Sequence, residues 1–563
     1  MKKKILITSA LPYANGPLHL GHIAGAYLPA DVYARFQRLR NREVLYVCGS
    51  DEYGVAVALS AQMEGRTPRE QVDLYHRSFQ EFFGHLQISF DHYSRTTHLR
   101  HRKRAQQFFL DLLKAGYIEE RVTEQLYSTE ENLFLADRYV IGECPKCGYE
   151  AARGDECPYC AAYYEATELR HPRSKLSEKP LQKRETHHWY LLFDRLQEPL
   201  RKWLATKEEW KPNVLQFARN FLEELRPRAI TRDASWGIPV PLEQAQGKVL
   251  YVWFEAPIGY ISATEEWAEQ QGKPESWKEY WLNPDCSLVQ FIGKDNIPFH
   301  ALFFPAMILG QKQPYTLVDQ LPANEFYLLE GRQFSKSEGW YLDMKTLFAR
   351  YTVDSIRYAI ATTAPENGDS EFSWREFQRR INGDLVGTYG NFFHRVIQFA
   401  HKYCGGVIQP LTWQGEEEKR FLQEIETIQI ACQKEYENFS LRGAAGQIMR
   451  LARSGNIYFD RKKVWQLRKR EENRKEMEST LSCCWICMHT LALISSPLLP
   501  ESARKIYSLL GEHPPPSSPT WPDSIQIDLR EERKLGVPTP LFCPIQEEEI
   551  IREERELQER SSG

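Results

Sequence analysis

The feature that most restricts the fold of this chain is a pattern of strand, glycine-bearing turn, helix and strand near its beginning. Residues 5–12 predict a short buried strand, residues 18–40 a helix, and residues 43–51 a second apolar strand. Strands joined through a helix are parallel neighbours in one sheet, which predicts an α/β domain. Ligands of such sheets bind beyond the carboxyl ends of the strands, where residues 12–22 and 49–54 would lie.

The chain has 563 residues, a length that favours several domains, and 42% of them are hydrophobic, which excludes a mainly disordered protein. The first apolar run follows a basic tip, but Thr8, Ser9 and Pro12 interrupt it, so it indicates a strand rather than a signal peptide. No run approaches the ~18 consecutive apolar residues of a membrane helix. We therefore expect a soluble, cytoplasmic protein.

The strand pattern is interrupted between about residues 115 and 227 by cysteines, polar tyrosine-rich stretches and a basic segment. Further apolar strands are predicted at 248–257 and 286–295, so an inserted domain explains the interruption. The chain after residue 340 has helical periodicity and predicts a helix bundle. Its amphipathic segments span 384–403, 416–438, 441–458 and 467–494.

Four of the twelve cysteines form two Cys-x-x-Cys pairs separated by nine residues. Such pairs present two thiolates from one tight turn, and two of them complete a tetrahedron around zinc. Four protein ligands leave no position for water, so the metal would be structural. The predicted ligands are Cys144, Cys147, Cys157 and Cys160.

Two short motifs have residue types suited to phosphate binding. His19 and His22 lie three residues apart where the first helix opens, and Gly21 between them allows close approach of a ligand to the backbone. The motif Ser335-Lys336-Ser337 lies in a glycine-flanked loop whose lysine could close over phosphates. Between the two motifs, Gly293 ends a strand at the same edge of the sheet, and Asp295 could hold ribose hydroxyls.

Together these motifs resemble those of the class I aminoacyl-tRNA synthetases, and most closely of the methionyl-tRNA synthetases. Residues 13–22 match the first family motif and residues 335–337 the second. The cysteine pairs and the segments 253–260 and 291–296 are further family landmarks. The resemblance spans residues 11 to about 504 and implies a Rossmann-type catalytic domain with a zinc-binding insertion, followed by an all-α anticodon-binding bundle.

The resemblance implies these domain boundaries: 1–115 and 226–325 for the two halves of the Rossmann domain, 116–225 for the insertion, 326–383 for the SKS loop and stem-contact region, 384–545 for the anticodon-binding bundle, and 546–563 for a charged tail. It implies activation of methionine with ATP and Mg²⁺ to methionyl-adenylate, and transfer to tRNA(Met). It also implies these roles: His19, His22, Arg232 and Lys336 in catalysis; His19, Gly21, His22, Gly293, Asp295, Ser335, Lys336 and Ser337 in ATP binding; Leu11, Tyr13, Asp51, Trp253, Ala256, Pro257, Tyr260, Ile297 and His300 in methionine binding; and Asn391, Arg395 and Trp465 in anticodon binding.

Residues 441–475 hold eleven Lys or Arg against three Asp or Glu, although the whole chain has a formal charge of −4. A solvated basic helix would explain this excess, and the resemblance adds attraction to the tRNA backbone as a second reading. The sequence departs from the family in having Gln333 where the second motif usually begins with lysine, unless Arg332 substitutes. Glu255 stands where aspartate is commoner. The absence of an appended dimerisation domain favours a monomer.

Two alternatives stay open at this point. A class I synthetase for another aliphatic amino acid would share both motifs, but it would carry a larger editing insertion than residues 116–225 provide. A non-catalytic tRNA-binding homologue would share the scaffold, but both histidines and Lys336 are retained here. Amino-acid-dependent exchange of pyrophosphate into ATP distinguishes the three possibilities.

Overall fold

The computed structural model describes residues 4–135, 139–154, 157–160, 162, 164–335, 338–512, 520–522 and 529–562. Lys336 and Ser337, predicted in the phosphate loop, lie outside the described residues.

A parallel sheet organises the first half of the chain. Strand Lys4–Ser9 lies in its middle, between Cys286–Gly293 on one side and Glu43–Ser50 on the other. His92–Arg95 and Val318–Gln320 form the two edges, also in parallel pairing. The inner strands are buried along most of their length, as expected for a sheet covered by helices on both faces. The predicted α/β fold is confirmed.

The strand predicted over residues 248–257 is wrong. Within that run the strand covers Lys248–Leu250, which pairs antiparallel with Thr231–Asp233 outside the central sheet. The chain then turns into the short helix Val252–Glu255. A short apolar run buried on several sides has no periodicity that separates a strand from a helix, which is why the sequence pattern failed here.

The helices that flank the sheet follow each connection in turn. The helix predicted over residues 18–40 is present as three continuous segments. The bounds are Leu20–His22, Ile23–Tyr27, Leu28–Leu39, Val55–Met63, Pro68–His85, Leu99–Lys114, Gly259–Gln270, Lys278–Trp281, Phe299–Phe303 and Phe304–Leu309.

The insertion lies between helix Leu99–Lys114 and the return of the chain to the sheet. Its main element is a four-stranded antiparallel sheet, and a smaller three-stranded sheet carries the cysteines. The bounds of the first sheet are Ile118–Ser128, Leu133–Phe134, Gln182–Leu191 and Arg228–Ala229; those of the second are Val140–Glu143, Ala152–Arg153 and Arg170–Ser174; and the helices are Gln197–Leu204 and Pro212–Glu223.

The remainder of the chain is mostly helical, as predicted. Strands Tyr327–Leu329 and Ser370–Phe372 pair in the region between sheet and bundle, and Val407–Ile408 pairs with Arg533–Lys534. The helices of this part are Met344–Arg350, Val353–Thr362, Trp374–Arg380, Ile381–Gly390, Asn391–Cys404, Glu416–Glu437, Leu441–Lys462, Val464–Leu467, Arg474–Ser495, Pro500–Leu509 and Glu547–Ser562. One described segment, Glu471–Ser495, is long and apolar enough to span a membrane, but most of it is buried in the bundle, as a core helix would be.

The charged tail does not extend into solvent as its composition suggests. Helix Glu547–Ser562 buries Ile550 and Leu557, which lie seven residues apart and so on one helix face. Its acidic side chains pair with two arginines of the region before the bundle: Arg350 bonds Glu553 at 2.7 Å, and Arg375 bonds Glu554 at 2.8 Å. The tail is therefore a docked helix, because a narrow apolar stripe and complementary charge outweigh its high overall charge.

Candidate active site

A cavity of about 760 Å³ opens at the carboxyl ends of the parallel strands. It contains nearly all of the described residues predicted to bind ATP and methionine, although they come from segments far apart in sequence. The predicted residues that line it are Leu11, Tyr13, His19, Gly21, His22, Asp51, Arg232, Trp253, Ala256, Pro257, Tyr260, Gly293, Asp295 and His300. Two do not line it: Ile297 is buried behind the wall, and Ser335 pairs through its backbone with Trp340.

The two imidazoles are held by the start of the first helix. The backbone N–H of Gly21 donates to Nδ1 of His19, and the backbone N–H of His19 donates to Nδ1 of His22. Burial, helped by His22, lowers the pKa of His19 to about 2, and burial lowers the pKa of His22 to about 4. Both rings are therefore neutral near pH 7. Since both Nδ1 atoms accept, each ring carries its proton on Nε2 as a donor for a ligand.

Gly21 is required where these rings pack. A Cβ atom added at Gly21 would lie 2.9 Å from the ring of His19 and 3.3 Å from the carbonyl oxygen of Tyr327. The ring of His19 also stacks on Phe334, with centroids 4.4 Å apart and an angle of 9°. The second family motif thus begins directly against the first histidine.

Gln333, which stands where the family motif usually has lysine, lines the cavity, but Arg332, which could have replaced that lysine, does not. Gln333 is part of the cavity wall. The guanidinium group of Arg332 lies over the ring of Trp340 at 4.4 Å and bonds Glu338 at 3.2 Å. Arg332 is therefore committed elsewhere in this structure, and the idea that it compensates for Gln333 finds no support.

The apolar end of the cavity is built from aromatic rings around one carboxyl group. The ring of Trp253 packs on Phe299, with centroids 4.8 Å apart. The hydroxyl of Tyr260 lies 2.8 Å from Nε2 of His300, whose Nδ1 lies 3.0 Å from the carbonyl oxygen of Asn296. Because that carbonyl can only accept, Nδ1 donates to it and Nε2 accepts from Tyr260. Burial lowers the pKa of His300 to about 4, in agreement with a neutral ring.

Asp51 provides a carboxyl group in the cavity wall that could bind an ammonium group. Its Oδ1 atom is buried without a hydrogen-bond partner. Burial raises the pKa of Asp51 well above its usual range. A buried carboxyl group of this kind is poorly stabilised alone and is ready to pair with a cation.

Arg232 is part of the cavity wall. Its guanidinium group stacks on Tyr251 at 3.8 Å and donates to the carbonyl oxygens of Ala229 and Thr231 at 3.1 and 2.8 Å. Sequence reasoning missed Tyr251 and Phe299, which support these functional side chains. It also missed His101, although the apolar positions 105, 108, 109 and 112 of the same helix show that this residue lies on the buried face.

The four predicted metal ligands come together in the insertion. Their sulfur atoms all lie within 4.8 Å of one another, with Cys144 and Cys160 at 3.9 Å and Cys147 and Cys157 at 3.7 Å. A tetrahedron with Zn–S bonds of ~2.3 Å has sulfur atoms roughly 3.8 Å apart. The cluster therefore fits a zinc ion with four thiolate ligands.

The three predicted anticodon residues lie on one region of the bundle. Asn391 donates to Asn456 at 3.3 Å, and Arg395 pairs with Asp460. Phe459 packs against both Arg395 and Trp465, and the indole of Trp465 is 39% exposed. The structure thus brings a planar exposed ring next to amide and guanidinium groups.

Comparisons with known proteins agree with this arrangement. Residues 5–397 match the family described as tRNA synthetases class I (M), and residues 411–563 match the anticodon binding domain of methionyl tRNA ligase. The methionine–tRNA ligase of Protochlamydia amoebophila is 56% identical over all of this chain and 80% of its own length. That of Chlamydia pneumoniae is 48% identical over 97% of this chain and 100% of its own.

The chain belongs to the methionyl-tRNA synthetases. Membership of this family confirms the predicted function, methionine–tRNA ligase. It does not favour a synthetase for another aliphatic amino acid or a non-catalytic tRNA-binding homologue. The fold is similar to that of the Mycobacterium tuberculosis methionyl-tRNA synthetase solved with methionyl-adenylate, with a TM-score of 0.79, 24% identity, and 96% of this chain and 99% of that one covered. This likeness confirms the fold of the synthetase.

Proposed function

We propose that the cavity of this synthetase is where methionine and ATP react, and that Asp51, the aromatic wall and the two histidines bind them. The observation that carries the proposal is that one cavity joins the carboxyl group of Asp51, whose buried Oδ1 has no hydrogen-bond partner, to two Nε2–H donors. The carboxyl group suits the ammonium of methionine, and the aromatic rings suit its unbranched apolar side chain.

In the activation step, an oxygen of the methionine carboxylate forms a bond to the α-phosphorus of ATP, and the bond to the leaving pyrophosphate breaks. Mg²⁺ enters with ATP as part of this substrate. The Nε2–H groups of His19 and His22 donate to phosphate oxygens whose charge increases in the transition state, and Arg232 adds a positive charge. By family resemblance, Gly293 and Asp295 hold the adenosine, and Lys336 holds the pyrophosphate with Ser335 and Ser337 beside it.

Exchange of labelled pyrophosphate into ATP tests this function. We expect exchange with methionine and none above background with leucine, isoleucine or valine at equal concentration. Aminoacylation of a tRNA(Met) transcript should follow with the same amino acid preference. Exchange with none of the four amino acids would leave only a tRNA-binding role.

We propose that the four-cysteine cluster holds one structural zinc ion. Cys144 and Cys157 are buried while Cys147 and Cys160 are exposed, so the insertion is closed around the metal from one side only. Replacing Cys147 by serine is expected to reduce bound zinc from about one ion per chain to much less, since a four-thiolate site loses one of its ligands. Elemental analysis of the purified proteins measures this. Cys543, which is exposed and lies outside the insertion, provides the matched control Cys543→Ser.

We propose that Asn391, Arg395 and Trp465 read the anticodon of tRNA(Met). Stacking of a base on an aromatic ring contributes about 1–3 kcal/mol. Trp465→Ala should therefore raise KM for tRNA by about 5- to 150-fold, while methionine-dependent pyrophosphate exchange stays unchanged. Trp413→Ala, at a similarly exposed tryptophan, is the matched control and should leave charging unchanged. Loss of exchange in Trp465→Ala would contradict this role.

We propose further that the synthetase works in the cytoplasm as a monomer.

A further inference from the structure

A second buried acid lies behind the methionine end of the cavity. Glu255 and His101 are both fully buried, and Oε2 of Glu255 lies 2.6 Å from Nε2 of His101. Neither residue lines the cavity, but both adjoin its wall. Ala256, which follows Glu255, is part of the wall, and a Cβ atom added at Gly259 would lie 3.2 Å from Leu11 and 3.8 Å from the ring of His101.

The hydrogen bonds of this pair fix the position of its proton. The hydroxyl of Ser262 lies 3.2 Å from the carbonyl oxygen of Gly259, which can only accept, and 3.0 Å from Nδ1 of His101; when the hydroxyl donates to that carbonyl, it accepts from Nδ1. A neutral ring with its proton on Nδ1 has a lone pair on Nε2. The short contact of Nε2 with Glu255 therefore requires one proton between the two atoms, and His101 and Glu255 together carry no net charge.

The surrounding acids are also compensated. Glu52 bonds Arg95 at 2.7 Å, Glu265 pairs with Arg104, and Glu266 accepts from Ser94 at 2.7 Å and lies 3.1 Å from His92. His98 lies 3.0 Å from the same Glu266. Burial raises the pKa of Tyr53 to about 12 and also raises the pKa of Tyr260, so both stay neutral.

Asp51 differs from all of these carboxyl groups. Among the residues that the structure describes, none with a basic side chain lies within salt-bridge distance of it, whereas Oδ1 of Asp51 shares its lack of a hydrogen-bond partner with one oxygen each of Glu255, Glu265 and Glu266. If Glu255 were ionised without its imidazole partner, two anions would compete for one ammonium group. When Glu255 is neutral, Asp51 is the one anion of the two that can attract the ammonium group.

We propose that His101 and Glu255 are positioning residues for methionine: they share one proton, stay neutral as a pair, and so leave Asp51 as the single anion that meets the ammonium group. This inference depends on the proposed role of Asp51. In this pair, the protonated carboxyl group of Glu255 donates a hydrogen bond, and Nε2 of His101 accepts it.

Steady-state pyrophosphate exchange with methionine as the varied substrate tests the proposal. Glu255→Gln keeps a neutral donor towards Nε2 of His101, and we expect its KM for methionine to stay within about threefold of the original enzyme. Glu255→Leu removes that donor and leaves Nε2 unpaired, so its KM should rise about tenfold with little change in kcat. Asp51→Asn removes the anion itself and should raise KM by about 30-fold or more.

The pH dependence provides a readout that a purely structural role would not change. KM for methionine should fall as the pH rises through the raised pKa of Asp51, because the ammonium group binds the ionised carboxylate. Glu255→Gln should keep this limb of the profile, and Asp51→Asn should lose it.

Two results would overturn the inference. A rise in KM for Glu255→Gln as large as that for Asp51→Asn would mean that position 255 must be an anion, and loss of the pH limb in Glu255→Gln would mean that Glu255 is the titrating group. An unchanged KM in Asp51→Asn would instead reject the proposed function of Asp51. The Gln and Asn variants alone decide these points if Glu255→Leu does not fold.

Discussion

His19→Ala is expected to slow methionyl-adenylate formation by about 10²–10³-fold, the usual loss when a preorganised donor to a developing charge is removed. The affinity for methionine should change little, because Asp51 and the aromatic wall are left intact. Single-turnover formation of adenylate measures the first quantity, and equilibrium binding of methionine without ATP measures the second.

His19 also caps the first helix, and a second variant separates the two roles. Asparagine is a strong N-cap residue and can accept from Gly21 as Nδ1 of His19 does, but its side chain does not reach as far as Nε2. His19→Asn should therefore restore the thermal stability lost in His19→Ala without restoring the rate. Recovery of both in His19→Asn would show that the ring acts only as a cap.

Arg357→Met is expected to lower the free energy of unfolding by about 3–5 kcal/mol, because it removes one partner from a buried charge network. The guanidinium group is fully buried. It bonds Asp31 at 2.7 Å and the carbonyl oxygens of Leu86, Pro497 and Leu498 at 3.0, 2.9 and 2.8 Å. One side chain thus joins the parallel-sheet domain, the region before the bundle and the bundle itself.

The charge of Asp31 explains why this loss should be large. Burial alone would raise its pKa, but Arg35, Arg357 and Ser89 outweigh burial and lower the pKa to about 2, so Asp31 is ionised. Arg35 is the matched control, since it bonds the same carboxylate at 2.8 Å while its side chain is partly exposed. Thermal unfolding of both variants, measured at one scan rate, should show a clearly smaller shift for Arg35→Met. Equal shifts would contradict the linking role of Arg357.

The sequence alone determined the features that depend on local order along the chain. The order of strand, glycine-bearing turn, helix and strand predicted the parallel sheet, and helical periodicity predicted the bundle. The spacing of the two Cys-x-x-Cys pairs predicted the four ligands of the cluster that contains Cys144 and Cys157. The His19–His22 pair could also be found from sequence, because both the capping geometry and the motif lie within one helical turn.

Only the tertiary structure decided which distant groups meet. Within the run at 248–257, the sequence pattern missed the helix Val252–Glu255, which brings Glu255 next to His101, because a short run buried on several sides has no periodicity. The commitment of Arg332 to Trp340 and the docking of the tail depend on surfaces that no local pattern describes. The same holds for protonation. The residue type gives a side chain its ordinary pKa, and only the packing around Asp51 shows that the pKa of this carboxyl group is raised and that the group is available to bind a ligand.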